Sequence, residues 1–118
     1  MANLISNLFR GDPRLEKCLI EDKAHVLNGD RGQFVSLIQN AVLVLEPSAF
    51  INGPELEQAV YGRDTAKAVL AYKTRRRIIN TSYQKTADAI VGKMTIRSLD
   101  AEMLAFETRE KIVVPRRG

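Results

Sequence analysis

The chain contains one cysteine, Cys18, one histidine, His25, and no tryptophan. A single cysteine excludes a disulfide within the chain, and one residue of each type cannot form a thiolate cluster or a multi-histidine zinc site. Leu15 and Leu19 lie near Cys18 at helical spacing, so we expect a small buried side chain rather than a reactive thiol. No cofactor or metal is expected.

Long apolar runs are also absent. No segment approaches the roughly 20 apolar residues that a membrane-spanning helix needs. The first ten residues lack a basic leader and an uninterrupted apolar stretch, so we expect no signal peptide and synthesis in the cytoplasm.

The composition suits one folded domain, because 45 % of the 118 residues are hydrophobic and 27 % are charged. Lys and Arg number 18 against 14 Asp and Glu, giving a net charge of +4. We therefore expect attraction to anionic partners, and nucleic acid, acidic wall polymers and anionic lipid all fit. Charge alone does not choose among them.

The spacing of apolar residues predicts helices throughout. Residues 4–9 have helical spacing, and Asp12 followed by Pro13 predicts a second short helix with the chemistry of a helix start. After a turn at residues 28–32, apolar residues recur from Val35 to Leu45 at helical steps. Residues 41–45 alone also suit a buried strand, but the longer stripe favours helix.

Three further helices are predicted. Pro47 ends the preceding helix, a short helix follows residue 53, and a longer one spans about 64–77. On the longer helix we expect Lys67, Lys73 and Arg75 to point outward. Residues 78–91 suit a loop, a final helix starts near Met94, and the last residues suit an extended tail.

Two segments share one pattern. The first contains Tyr61, Gly62, Thr65 and Val69, and the second contains Val91, Gly92, Thr95 and Leu99, 30 residues later. This pattern predicts two similar helix starts. Glycine would permit a positive φ, threonine would bond to open amides of the first turn, and the last residue would anchor the turn in the core.

These residues resemble the peptidoglycan-binding domain family. Its opening block is matched by Gly32, Val35, Ile38, Gln39 and Val42. Its middle block is matched by Tyr61, Gly62, Thr65, Ala68, Val69, Tyr72 and Lys73. Its final block is matched by Asp88, Val91, Gly92, Thr95 and Leu99. The resemblance covers roughly residues 30–100, with Lys73 and Ala89 in place of the usual glutamine and glycine, and a longer stretch before Asp88.

The resemblance implies an all-α fold, a compact three-helix bundle of the peptidoglycan-binding type with an additional N-terminal helical arm. We divide the chain into the arm at 1–27, the peptidoglycan-binding-like domain at 28–106 and a C-terminal tail at 107–118. Most of the matched residues are explained by chain turns and by contacts in the core. The match therefore indicates the fold more directly than it indicates a ligand.

The function implied by the resemblance is non-catalytic recognition of cell-wall peptidoglycan or a muropeptide, which would bring a partner hydrolase or toxin to the wall. A location in the periplasm or wall then needs delivery by another system. The alternative is a structural or adaptor subunit of a phage-tail-like or secretion assembly that uses the same scaffold for contacts between proteins. Neither function involves a membrane.

Candidate ligand contacts flank the two glycine turns: Arg63, Asp64, Tyr83, Gln84, Asp88 and Lys93. Their charged, amide and aromatic groups suit the carboxylates, amides and hydroxyls of muropeptides. The basic cluster at residues 73–77 suits either phosphate contacts or a solvated helix end, and we expect the latter. Catalysis is not expected, because the spacing of Cys18 and His25 does not indicate a catalytic pair.

Overall fold

The computed structural model describes residues 3–79 and 87–113, with side chains as far as residue 109. The helices are α1 (Pro13–Ile20), a 3-10 turn (Asp22–Ala24), α2 (Gln33–Leu45), α3 (Gly53–Glu57), α4 (Arg63–Arg76) and α5 (Lys93–Val113). Over these residues, β-structure is limited to two isolated antiparallel bridges, Val26 with Val91 and Arg31 with Val60. The fold is therefore all-α, as the sequence predicts.

Each of the three longer helices begins directly after a glycine. Gly32 and Gly62 are the N-cap residues of α2 and α4, and Gly92 immediately precedes α5. Helix α2 ends at Leu45, before Pro47, so both of its predicted ends are confirmed within two residues. The run at residues 41–45 is helical and not a strand.

Helices α2 and α4 lie side by side and run in the same direction. Near the start of α4, Gln39 Nε2 donates to Thr65 Oγ1 at 2.9 Å. Near its end, Arg75 Nε donates to Glu46 Oε1 at 2.8 Å.

Helix α5 contacts α1 and α2. The shared core includes Leu15, Val35, Ile38, Val42, Val69, Tyr72, Ile96 and Leu99, all fully buried.

The N-terminal segment is not the helix that the spacing of residues 4–9 predicts. The backbone amides of residues 4–8 and 11 bind carboxylates of later helices, and a helix-type hydrogen bond forms only from the Arg10 amide to the carbonyl oxygen of Ser6. Asp100 accepts from the amides of Ile5 and Ser6 at 2.9 and 2.8 Å. Glu107 accepts from the next two amides, and Glu16 accepts from those of residues 4 and 11. Within the described residues of the arm, helical structure is limited to α1 and the 3-10 turn that follows it.

The arm belongs to the core of the domain. Leu4 and Phe9 are buried in the same apolar cluster as residues of α2 and α5. Cys18 is also fully buried, and burial raises the pKa of its thiol to about 11. The predicted burial of Cys18 is therefore confirmed.

Helix α5 is longer than the sequence predicts. It continues to Val113, so residues 107–113 are helical and not part of an extended tail. Residues 114–118 lie outside the described part of the chain. No helix within the described residues combines the length and the apolar character that crossing a membrane requires.

Candidate functional site

The start of α4 is capped by Glu55, a residue of α3. Its carboxylate accepts from the amides of Gly62 at 3.0 Å, Asp64 at 3.2 Å and Thr65 at 2.6 Å. Burial alone would raise the pKa of Glu55, but the hydrogen bonds from Thr65, Asp64 and Gly62 outweigh it and lower the pKa. The open amides of the helix are thus bound by an acid from another element.

This arrangement corrects two details of the sequence prediction. Gly62 has a φ of −108°, which is not the left-handed region, so glycine is needed there for the close approach of Glu55 and not for turning. The Thr65 hydroxyl accepts from Gln39 of α2, while the capping of the first turn is done by Glu55.

Asp64 has a structural role beside this cap. Its Oδ2 atom accepts from the backbone amide of Asn52 at 3.0 Å and from the Asn52 side chain at 2.8 Å. These two hydrogen bonds lower the pKa of Asp64. The neighbouring Arg63 is exposed at the first position of α4.

A cleft of about 560 Å³ lies at the start of α5, within the size range of ligand-binding pockets. Its lining combines charged groups with apolar ones: Asp22, His25, Lys73, Ile78, Ile79, Asp88, Ile90, Gly92, Lys93, Met94 and Thr95. These residues come from the 3-10 turn and the segment after it, the end of α4, and both sides of the second glycine turn.

The cleft brings together two of the predicted ligand contacts, Asp88 and Lys93. Arg63 and Asp64 do not line it and lie at the start of α4 instead. Tyr83 and Gln84 lie outside the described residues. The six candidates therefore do not form one site among the described residues.

Lys73 is the main error of the sequence prediction, because it is buried and does not point outward. Its ammonium donates to Asp88 Oδ1 and to the carbonyl oxygen of Ile90, both at 2.6 Å. Only 8 % of its side chain is exposed. Its spacing of four residues from Val69 places both on one face of the helix, and that was the available signal.

His25 and Asp22 were not predicted as site residues, yet both line the cleft. The His25 ring lies against the second glycine turn, where a Cβ at Gly92 would be 3.3 Å from Nε2. Asp22 Oδ1 lies 3.3 Å from the ammonium of Lys93. Both residues stand in a turn remote in sequence from α5, so no local pattern indicates them.

The basic cluster at the end of α4 is occupied by contacts within the chain. Arg75 pairs with Glu46, and Arg76 pairs with both Glu46 and Glu102. The hydrogen bond from Arg75 is the main reason why the pKa of Glu46 is lowered to about 2, although Glu46 is only 1 % exposed. Lys73 is also paired, whereas Arg75 and Arg77 are exposed at the end of the helix, so the expected solvated helix end is found for part of the cluster only.

Comparison of the chain with protein-family models, with curated proteins and with solved structures finds no match. Within the described ranges, no group of three His, Cys, Asp or Glu side chains is placed to hold a metal ion.

Proposed function

We propose that the chain is a non-catalytic module that binds cell-wall peptidoglycan or muropeptides and brings a partner hydrolase or toxin to the wall. The observation that carries this proposal is the cleft at the start of α5. There, Asp88 and Lys93 lie beside the exposed side chain of Met94. Such a mixture of charged and apolar groups fits a ligand that carries carboxylates and amides on aliphatic peptide segments.

The residues that resemble the peptidoglycan-binding family support the proposal. The glycines of the three blocks, Gly32, Gly62 and Gly92, each stand directly before a long helix. Val69 and Leu99, the apolar ends of the repeated pattern, are both fully buried. Both features are what a scaffold built from these blocks requires.

The absence of catalysis is part of the proposal. Cys18 is a poor nucleophile, because burial holds its thiol protonated with a pKa of about 11. Lys73 and Asp88, the closest charged pair in the cleft, are bonded to each other. Their roles in the proposed site are positioning and charge, and no reaction is assigned to them.

Sedimentation with insoluble sacculi tests the proposal. We expect the purified full chain to sediment with sacculi, most strongly at low salt because the chain is basic. Lys93→Glu should lower the bound fraction. Lys67→Glu makes the same charge change at an exposed residue of α4 that does not line the cleft, and should leave binding unchanged. Protein that stays wholly in the supernatant at low salt would overturn the proposal.

A second function, a structural or adaptor subunit, is favoured by one specific surface. Val44 on α2 is 47 % exposed and faces Ala105 and Phe106 across a groove between α2 and α5. Exposed apolar side chains in a groove between helices are typical of surfaces that contact another subunit.

Light scattering of the full chain at several concentrations tests this second function. We expect an apparent mass that rises with concentration, and Val44→Asp should abolish the rise. The matched control is Ile20→Asp, which changes a similarly exposed residue of α1. A mass equal to one chain at every concentration would contradict the subunit function.

A further inference from the structure

Two lysine and aspartate pairs line the cleft, and they differ in exposure. Lys73 lies 2.6 Å from Asp88, with 8 % of the lysine side chain exposed. Lys93 lies 3.3 Å from Asp22, with 41 % and 81 % of the two side chains exposed. The first pair is held in place by burial and by the carbonyl oxygen of Ile90. The second is solvated, and such pairs contribute little to stability. It can therefore open for a ligand at little cost.

The position of Lys93 is not explained by the stability of α5. Lys93 is the first residue of that helix, and no acidic residue follows in the first turn. The partial positive charge at a helix N-terminus disfavours a cation there. Residues that break a local rule are expected at functional sites. Lys93 is paired instead with Asp22, so an ammonium and a carboxylate stand side by side at one edge of the cleft.

Apolar side chains line the cleft together with the two charged pairs. Ile78, Ile79 and Ile90 contribute to the lining, and Met94 is 53 % exposed next to Lys93. An exposed methionine is flexible and adapts to aliphatic chains. The lining thus offers contacts for methylene groups beside an edge that carries both signs of charge.

We infer that the cleft binds the zwitterionic end of an amino acid carried on an aliphatic chain. The ligand carboxylate binds Lys93, the ligand ammonium binds the Asp22 carboxylate, and the methylene groups contact Met94. Binding of the ligand breaks the ion pair between Lys93 and Asp22 and forms one ion pair from each of them to the ligand. Neither protein charge is left without a partner. This inference rests on the proposed function. In wall peptides, such an end occurs where the side chain of a diamino acid is not cross-linked.

Calorimetric titration with three soluble muropeptides tests the inference. One has a stem that ends in meso-diaminopimelate with its distal ammonium and carboxylate free. In the second the distal amine is acetylated, and in the third the distal carboxylate is amidated. Each change removes one ion pair to an exposed side chain, and such pairs contribute modestly, so we expect affinity to fall about two- to fivefold in each case.

Charge variants assign the effect to the two residues. Lys93→Glu and Asp22→Lys should each weaken binding of the free muropeptide, and the double variant should recover part of the affinity because both charges are present again. Lys67→Glu should bind like the unaltered chain. Both cleft residues are exposed, so the denaturation midpoints should not fall, which would show that the variants fold.

Equal affinity for the three muropeptides, or no effect of the variants at residues 22 and 93, would overturn this inference. If the chain still sediments with sacculi in that case, the proposed wall binding stands and only the ligand group is wrong. If the chain neither sediments nor binds any muropeptide, the proposed function itself has failed.

Discussion

The carboxylate of Glu55 occupies the space that a side chain at residue 62 would need, because a Cβ at Gly62 would lie 2.9 Å from Glu55 Oε1. Gly62→Ala should therefore displace the carboxylate and leave the amides of Asp64 and Thr65 without their acceptor. We expect a loss of about 1–3 kcal/mol in the free energy of unfolding, measured by urea denaturation.

A double-mutant cycle provides the control for this prediction. In a Glu55→Ala background the carboxylate is gone, so adding Gly62→Ala should cost much less than it does in the unaltered chain. If the two costs simply add, the contact between Glu55 and Gly62 is not the reason why residue 62 is a glycine.

Stability should fall in acid because of Glu46. Its pKa is about 2 in the folded chain, lowered chiefly by the hydrogen bond from Arg75, against an ordinary value of 4.5. Between these values the unfolded chain binds more protons, by about one for this carboxyl, so lowering the pH favours unfolding. The contribution is complete above the ordinary pKa and is lost progressively as the pH falls from about 5 toward 2.

Urea denaturation at about pH 6 and about pH 3 measures this effect. Glu46→Gln should lower stability at the higher pH and reduce the difference between the two conditions. Glu57→Gln alters an exposed carboxyl of α3 and should leave the difference unchanged. An unaltered pH dependence in Glu46→Gln would contradict the assignment to Glu46.

Leu99→Ala should cost about 2–5 kcal/mol, because Leu99 is fully buried in the core and its loss leaves a cavity. Leu104→Ala makes the same change at a residue of α5 that is 36 % exposed, and should cost about 1 kcal/mol or less. Denaturation midpoints check both. Equal losses would show that the burial of Leu99 does not set the cost.

Asp100→Ala should loosen the N-terminal segment. Asp100 is 5 % exposed and accepts from the amides of Ile5 and Ser6, so its loss leaves the buried Ser6 amide without an acceptor, at a cost of about 1–3 kcal/mol. Hydrogen exchange at residues 5 and 6 should become faster. Glu107→Ala should have a smaller effect, because the Asn7 amide that Glu107 binds is exposed and can donate to water instead.

Cys18 should not react with an aromatic disulfide reagent near neutral pH while the chain is folded. The side chain is fully buried, and burial raises the pKa of the thiol to about 11, so thiolate is scarce. Reaction should follow the unfolding transition when urea is added. A rapid stoichiometric reaction in the absence of urea would show that the thiol is accessible.

The candidate site could be predicted only in part. Asp88 and Lys93 were indicated by their closeness to the second glycine turn, and both line the cleft. His25 and Asp22 were missed, since they reach the cleft from a turn about 70 residues away. Lys73 was predicted on the wrong face of α4. Its burial depends on the ion pair with Asp88, and the helical spacing of apolar residues gives no information about that partner.

The sequence by itself determined the all-α class, the glycine-led starts of the long helices and the burial of Val69 and Leu99. These features depend on contacts within one or two helical turns, where apolar spacing, glycine and proline act directly. Tertiary structure alone decided which acid caps α4, how the N-terminal amides are satisfied and which charges share the cleft. Asp100 binds the amide of Ile5 from 95 residues away. Such pairing exists only once the helices have come together, because burial then requires each polar group to find a partner.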